Sequence, residues 1–214
     1  MNITLWLSNN YVEVFGAVAG IIYVFLEIRQ TIWLWPVGLI TSAVYILVFF
    51  ESKFYADMSL QGYYLVISVL GWYWWSKGVG RVAQGEGQKK KGRGDEETLQ
   101  VTRIDLKKSV VLAIVFVVLY AVMRIVLTRF TDSPVPEWDS FITSLSIVAT
   151  WMLARKIYEH WFLWIIVNFV SAVLFLVKGL YPTVILYAFY GIMSFVGLSA
   201  WKKSIRNNLS ISKR

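Results

Sequence analysis

Apolar residues gather into seven stretches along this 214-residue chain, and polar residues fall mainly between them. Each stretch approaches the roughly 20 residues that cross a bilayer as a helix. The pattern predicts spans over Tyr11–Ile28, Ile32–Phe50, Asp57–Ser76, Ser109–Leu127, Trp138–Arg155, His160–Lys178 and Tyr181–Trp201. Pro36 and Pro182 fall in the first turns of the second and seventh spans, where the missing amide costs no intrahelical bond. The rare polar residues inside the spans are not scattered. Gln61, Tyr64 and Ser68 recur at i, i+3, i+7, which places them on one helix face. Thr143, Ser146 and Thr150 repeat that spacing in the fifth span, and Trp161, Trp164 and Asn168 in the sixth. Tyr187, Tyr190 and Ser194 in the seventh span match the third.

The two ends of the chain also copy each other. Trp35, Ser42 and Ala43 recur 129 residues later as Trp164, Ser171 and Ala172. Tyr55, Tyr64, Ser68, Gly71 and Trp75 recur 126 residues later as Tyr181, Tyr190, Ser194, Gly197 and Trp201. Spans one to three and five to seven therefore read as two related units, with the fourth span as connector. Three spans per unit is an odd number, so a connecting span gives both units one orientation. This is a seven-helix, 3+1+3 parallel repeat of the SWEET-like kind.

Composition agrees with a membrane protein: 57% hydrophobic, 16% charged and a mean hydropathy of +0.59, against about 25% charged in soluble domains. The net charge of +8 would suit nucleic acid, but its placement argues for lipid. Lys and Arg divide 17 to 4 between the two sides of the seven spans. The positive-inside rule then puts the N-terminus outside and the C-terminus in the cytoplasm. The expected organisation is a first three-helix bundle over 1–76 and a basic cytoplasmic loop over 77–108. A linker helix over 109–128, a second bundle over 138–201 and a cytoplasmic tail over 202–214 follow. The loop, with Lys89-Lys90-Lys91, reads as a solvated linker near anionic headgroups. The opening residues lack a signal-peptide pattern and read as mature sequence.

No cysteine is present and there is one histidine, so neither a disulfide nor a metal site is expected. No phosphate-binding glycine loop or cofactor motif stands out. Polar residues at mid-membrane depth are costly against lipid and should face the bundle interior. Asn168, near the centre of its span, is the leading solute-orienting group, because an amide there needs partners. Trp164, Tyr187 and Tyr190 lie deep enough for a ring-stacking site. Trp161, Gln61, Tyr64 and Thr150 complete the candidate set. Ser42, Ser146, Ser171 and Ser194 read as helix-packing serines. Trp72, Trp74, Trp75, Trp138 and Trp201 read as interfacial anchors. No carboxylate sits at mid-depth: Glu13 and Glu27 fall near the ends of the first span. A proton relay therefore lacks its parts, and facilitated diffusion of a flat heterocycle, especially a cationic one, is the expected chemistry. A membrane enzyme would need clustered acids, and a retinal-type sensor a buried lysine on the last span.

Trp33-Leu34-Trp35-Pro36-Val37-Gly38, Ser52 to Asp57 and Gln61 to Trp75 resemble the PnuC family of bacterial vitamin transporters. So do Trp161, Trp164 and Asn168, as a WxxWxxxN pattern, and Lys178 to Thr183. The resemblance spans nearly the whole chain. It implies a homotrimer that admits nicotinamide riboside by facilitated diffusion, with cytoplasmic phosphorylation trapping the solute. Thiamine and riboflavin are the solutes of relatives, and thiamine is a close alternative here. In the first half Leu39 stands where Asn168 does in the second, so a polar contact there must come from elsewhere, such as Gln61.

Overall fold

The computed structural model describes residues 11–51, 55–77, 99–131, 133–177 and 179–212. Seven α-helices follow one another and, among the described residues, no strand forms. They are α1 (Tyr11–Ile28), α2 (Leu34–Glu51), α3 (Tyr55–Lys77), α4 (Leu106–Phe130), α5 (Pro136–Ala154), α6 (His160–Val177) and α7 (Tyr181–Ser212). Each predicted span is a helix. Three helices are individually long and apolar enough to cross a bilayer: Leu106–Phe130, His160–Val177 and Tyr181–Asn207. Val14–Ile28 and Leu34–Phe50 are shorter apolar helices. In α5, Ser140, Ser144, Ser146 and Thr150 turn inward and are buried, the arrangement that lets helices approach closely in lipid.

The chain divides into two compact units, Met1–Val69 and Leu70–Arg214. In the first, α1 packs on α2. In the second, α4 packs on α5, α5 on α6 and α6 on α7. No residue of α4 is buried. Only its Leu112, Phe116 and Leu119 stripe touches the Val148–Met152–Ile157 core. Asp105 caps α4, accepting from the Lys108 amide at 2.7 Å. That backbone N–H, with the Lys108 ammonium behind it, holds the Asp105 carboxyl below its usual range.

The turns after α1 and α5 are built alike. Gln30 and Lys156 both adopt left-handed backbone, with φ of 56° and 49°. The Gln30 and Lys156 amides donate to Glu27 and Leu153, and the next amides, Thr31 and Ile157, to Leu26 and Met152. This is one helix-ending motif used twice, with a side chain where glycine is usual. In both cases a tight turn follows, in which Leu34 bonds back to Thr31 and His160 to Ile157.

Three features depart from the sequence reading. First, α7 continues past Trp201 to Ser212, so most of the expected tail is helical: a charge change marks where the bilayer ends, not where a helix must stop. Second, the loop's last residues are docked. Thr102 exchanges backbone bonds with the α5–α6 turn, to Lys156 O at 3.0 Å and from Tyr158 N at 2.9 Å. The Ile104 amide donates to Glu159 Oε2 at 2.9 Å, and Leu99 and Val101 are buried. The Lys89 to Lys91 run lies outside the described residues. Third, Trp75 and Trp201 are buried rather than interfacial. Trp75 Nε1 donates to Ala154 O at 3.1 Å. Trp72 and Trp138 remain exposed.

Lys156 is buried against the Trp75 ring, its ammonium 4.2 Å from the ring centre. Burial pushes its pKa down from 10.5 to about 8. Between those values the unfolded chain binds the extra proton, so stability rises with pH. The melting temperature of the detergent-purified protein should climb from pH 8 toward pH 10, and Lys156→Gln should flatten that slope. An equal slope in the variant would remove Lys156 as its source.

Candidate solute site

The site grows from the α6–α7 pair in the second unit. Small residues on α7 let the helices close: a Cβ on Gly191 would sit 3.9 Å from the Asn168 Cβ, while one on Gly197 would collide with the Trp161 ring. Between these contacts Asn168 Nδ2 donates to Ser194 Oγ at 3.1 Å. Ser194 Oγ in turn donates to the Tyr190 carbonyl at 2.8 Å. Asn168 is 6% exposed and Ser194 1%. The relay fixes the amide plane, since one of its two N–H donors is committed to Ser194. The second N–H and the carbonyl are the groups a solute can use. Tyr190 meets Tyr187 edge-on at 6.0 Å, and Tyr187 meets Phe175 at 5.1 Å, so aromatic walls flank the relay.

Trp164 lies one turn before Asn168 on α6, and its indole Nε1 is buried with no hydrogen-bond partner among the described residues. A buried N–H without a partner costs about 1–3 kcal/mol, a cost that an acceptor on a bound solute would remove. Trp161 Nε1 is likewise buried with no hydrogen-bond partner among the described residues. Its ring is 1% exposed and packs among His160 at 4.7 Å, Trp201 at 6.0 Å and Gly197. His160 Nδ1 is tied to the Ile157 carbonyl at 2.7 Å. The Thr150 hydroxyl is committed to the Ser146 carbonyl at 2.8 Å, so it offers an acceptor lone pair rather than a free donor.

Gln61 and Tyr64 belong to the first unit. There the Ser68 hydroxyl donates to the Tyr64 carbonyl at 2.7 Å, the same back-bond that Ser194 makes to Tyr190. Gly38 opens the space beside it: a Cβ there would lie 3.0 Å from Ser68 Oγ and 3.1 Å from the Tyr23 ring. Tyr63 and Tyr64 meet at 5.5 Å. A cleft of 550 Å³ on the same unit, lined by Phe15, Val18, Ile22, Val37, Ile40 and Thr41 among others, is chemically unsuited to a vitamin. Its one hydroxyl, Thr41, is already bonded to Val37 O at 2.8 Å.

Two residues escaped the sequence reading. Ser194 reads from sequence as a packing serine, yet it orients Asn168; its offset match to Ser68 is the signal in the sequence. Glu27 reads from sequence as a span-end residue, yet it is 4% exposed. Its i+8 spacing from buried Ala19, with Tyr23 between, placed it on the inward stripe of α1.

A family model described as nicotinamide mononucleotide transporter matches residues 10–203. The chain belongs to this family. It is 26% identical over 221 residues to the nicotinamide riboside transporter PnuC of Escherichia coli (strain K12), covering 92% of this chain and 87% of that one. It is 24% identical over 189 residues to the riboflavin/roseoflavin transporter RibM of Streptomyces davaonensis, covering 88% and 83%. The crystal structure of the vitamin B3 transporter PnuC shares the fold, with a TM-score of 0.70 at 23% identity, over 96% of this chain and 86% of that one. Membership makes the chain a transporter rather than an enzyme, and with several apolar helices a multi-pass membrane protein. The PnuC resemblance read from the WxxWxxxN pattern and the tryptophan-proline segment is borne out.

Proposed function

We propose that this chain admits nicotinamide riboside by facilitated diffusion across a bacterial inner membrane, with cytoplasmic phosphorylation trapping the solute. The observation that carries this reading is the buried Asn168 amide, oriented by Ser194 and flanked by Tyr187, Tyr190 and the unsatisfied Trp164 N–H. A positively charged pyridinium stacks well on such rings, and the carboxamide and ribose hydroxyls match a spare amide. Trp161 and Thr150, on the same unit as Asn168, contribute further contacts, and Gln61 and Tyr64 are the candidate solute residues of the first unit. The relatives named for nicotinamide riboside support the choice of solute over thiamine.

The working architecture is two like-oriented three-helix bundles joined by α4, with the N-terminus outside and the C-terminus in the cytoplasm, assembled as a homotrimer. The shared turn motif at Gln30 and Lys156 supports the repeat. Those turns keep the offset of 126 residues that also relates α3 to α7. On that register Ser42, buried at 4%, is the counterpart of Asn168, in place of Leu39.

A thermal-shift screen of nicotinamide riboside, thiamine, riboflavin and their phosphates on purified protein tests the solute. Ligand at a hundredfold excess over Kd adds about 2.7 kcal/mol of apparent stability. Nicotinamide riboside should raise the melting temperature and its phosphate should not. A response to thiamine alone would replace the solute, and equal binding of the phosphate would remove trapping from the scheme.

A further inference from the structure

Residues 155–159 join α5 to α6, and this turn is gripped from two sides. On one side the Trp75 indole donates to the Ala154 carbonyl at 3.1 Å. On the other, the strap 99–104 lies along the turn, with a parallel bridge between Thr102 and Ile157. The Thr102 amide donates to Lys156 O at 3.0 Å, and the Tyr158 amide to Thr102 O at 2.9 Å. The Glu159 carboxylate accepts from the Ile104 amide at 2.9 Å, and Leu99 and Val101 are buried. Trp161, Trp164 and Asn168 follow on α6. Whatever holds residues 156–159 therefore holds the end of the helix that carries the solute residues.

The turn does not need this strap in order to form. The α1–α2 turn has the same left-handed residue and the same pair of closing bonds. Yet among the described residues no second segment makes backbone bonds across it, and its Ile32 and Trp33 are exposed. A contact that local folding does not require, held by two backbone bonds, one carboxylate and two buried side chains, belongs to the part of a structure that opens most readily. It also sits where a tilt of α6 must pivot. Helix-terminal residues absorb the backbone change when packed helices move, and Lys156 already occupies left-handed backbone with φ of 49°. A pivot there displaces the Lys156 carbonyl and the Tyr158 amide, the two groups that Thr102 holds.

We propose that the strap 99–104, clamped by Glu159, is a latch on α6 whose release sets the rate of solute transfer. This rests on the facilitated-diffusion reading above, in which the solute site opens to each side of the membrane in turn. Conformational steps of this kind set the pace of many catalysed processes. Glu159 is a positioning residue in this scheme: it acts on α6 through the strap, not on the solute.

Uptake of nicotinamide riboside into proteoliposomes tests the latch. The chain has no native cysteine, and paired residues of a parallel bridge lie within the Cα separation that a disulfide spans, about 4.4–6.8 Å. Thr102→Cys combined with Ile157→Cys should stop uptake when oxidised and regain it on reduction, with calorimetric affinity for the solute retained. A second series loosens the strap instead. Glu159→Met should speed hydrogen exchange at the Thr102 and Tyr158 amides by about tenfold, the scale of one bond to a charged acceptor, and raise uptake by a similar factor. Glu159→Gln keeps an acceptor oxygen and should fall between Glu159→Met and wild type. Ile157 is a core residue, so the Glu159 series decides if the cysteine pair does not fold. Uptake that persists through the disulfide, or faster exchange with unchanged uptake, would mean a static strap and overturn the latch alone. Wild type that neither binds nor admits nicotinamide riboside would instead overturn the solute reading, and this assignment with it.

Discussion

Asn168→Ala should weaken solute binding by about ten- to a hundredfold while leaving the protein folded. A site built to hydrogen-bond its solute loses about 1–3 kcal/mol when one buried partner is left unmet, and each 1.4 kcal/mol is tenfold in Kd. The structure explains why folding should survive. Ser194 keeps its own bond to the Tyr190 carbonyl at 2.8 Å, so the truncation frees an acceptor lone pair and strands no donor. Ser194→Ala is the informative companion. It leaves Asn168 in place and removes only its orienting acceptor, so binding should fall less than in Asn168→Ala. Trp164→Ala should match the loss in Asn168→Ala by removing a stacking face and a buried N–H. Calorimetry for affinity and thermal unfolding for integrity check all three. Unchanged affinity in both Asn168→Ala and Trp164→Ala would move the site away from α6.

The helices were legible because bilayer thickness imposes a length on apolar runs, and the seven runs here are each interrupted by charge, Gly or Pro. The ends were less so. Lys202, Lys203 and Arg206 stop the membrane pattern but are good helix formers, so α7 runs on to Ser212. Candidate residues on one helix face were legible from the i, i+3, i+7 spacing, and Asn168, Tyr187 and Tyr190 do gather about one relay. What spacing cannot show is how a hydroxyl or amide is used. Ser194 and Thr150 look equivalent in sequence, yet Ser194 both back-bonds and receives Asn168, while Thr150 back-bonds to Ser146. Depth estimated from position in a span also differs from burial. Glu27 is near a helix end and still enclosed, and Trp75 and Trp201 sit where interfacial tryptophans belong but pack inward.

The same substitution at two glycines of α7 should act in opposite directions. Gly197→Ala should destabilise by several kcal/mol, because its Cβ would collide with the Trp161 ring. That ring has nowhere to retreat: Trp161, His160 and Trp201 are each at most 1% exposed and pack as one cluster. Overpacking a closed core costs about 1–3 kcal/mol and more where rigid rings are forced apart. At Gly191 the new methyl would meet the Asn168 Cβ at 3.9 Å, an ordinary contact. There alanine's helix preference, about 1 kcal/mol over glycine, should leave stability equal or raised. Thermal unfolding of the two variants side by side reads the sign directly. If the collision is the cause, Trp161→Leu combined with Gly197→Ala should recover stability relative to Gly197→Ala alone, since the shorter side chain vacates the space the methyl needs. Similar melting temperatures for Gly191→Ala and Gly197→Ala would mean that α6 and α7 do not meet through the Trp161–Gly197 contact, and the relay at Asn168 would lose the close packing that holds its distance.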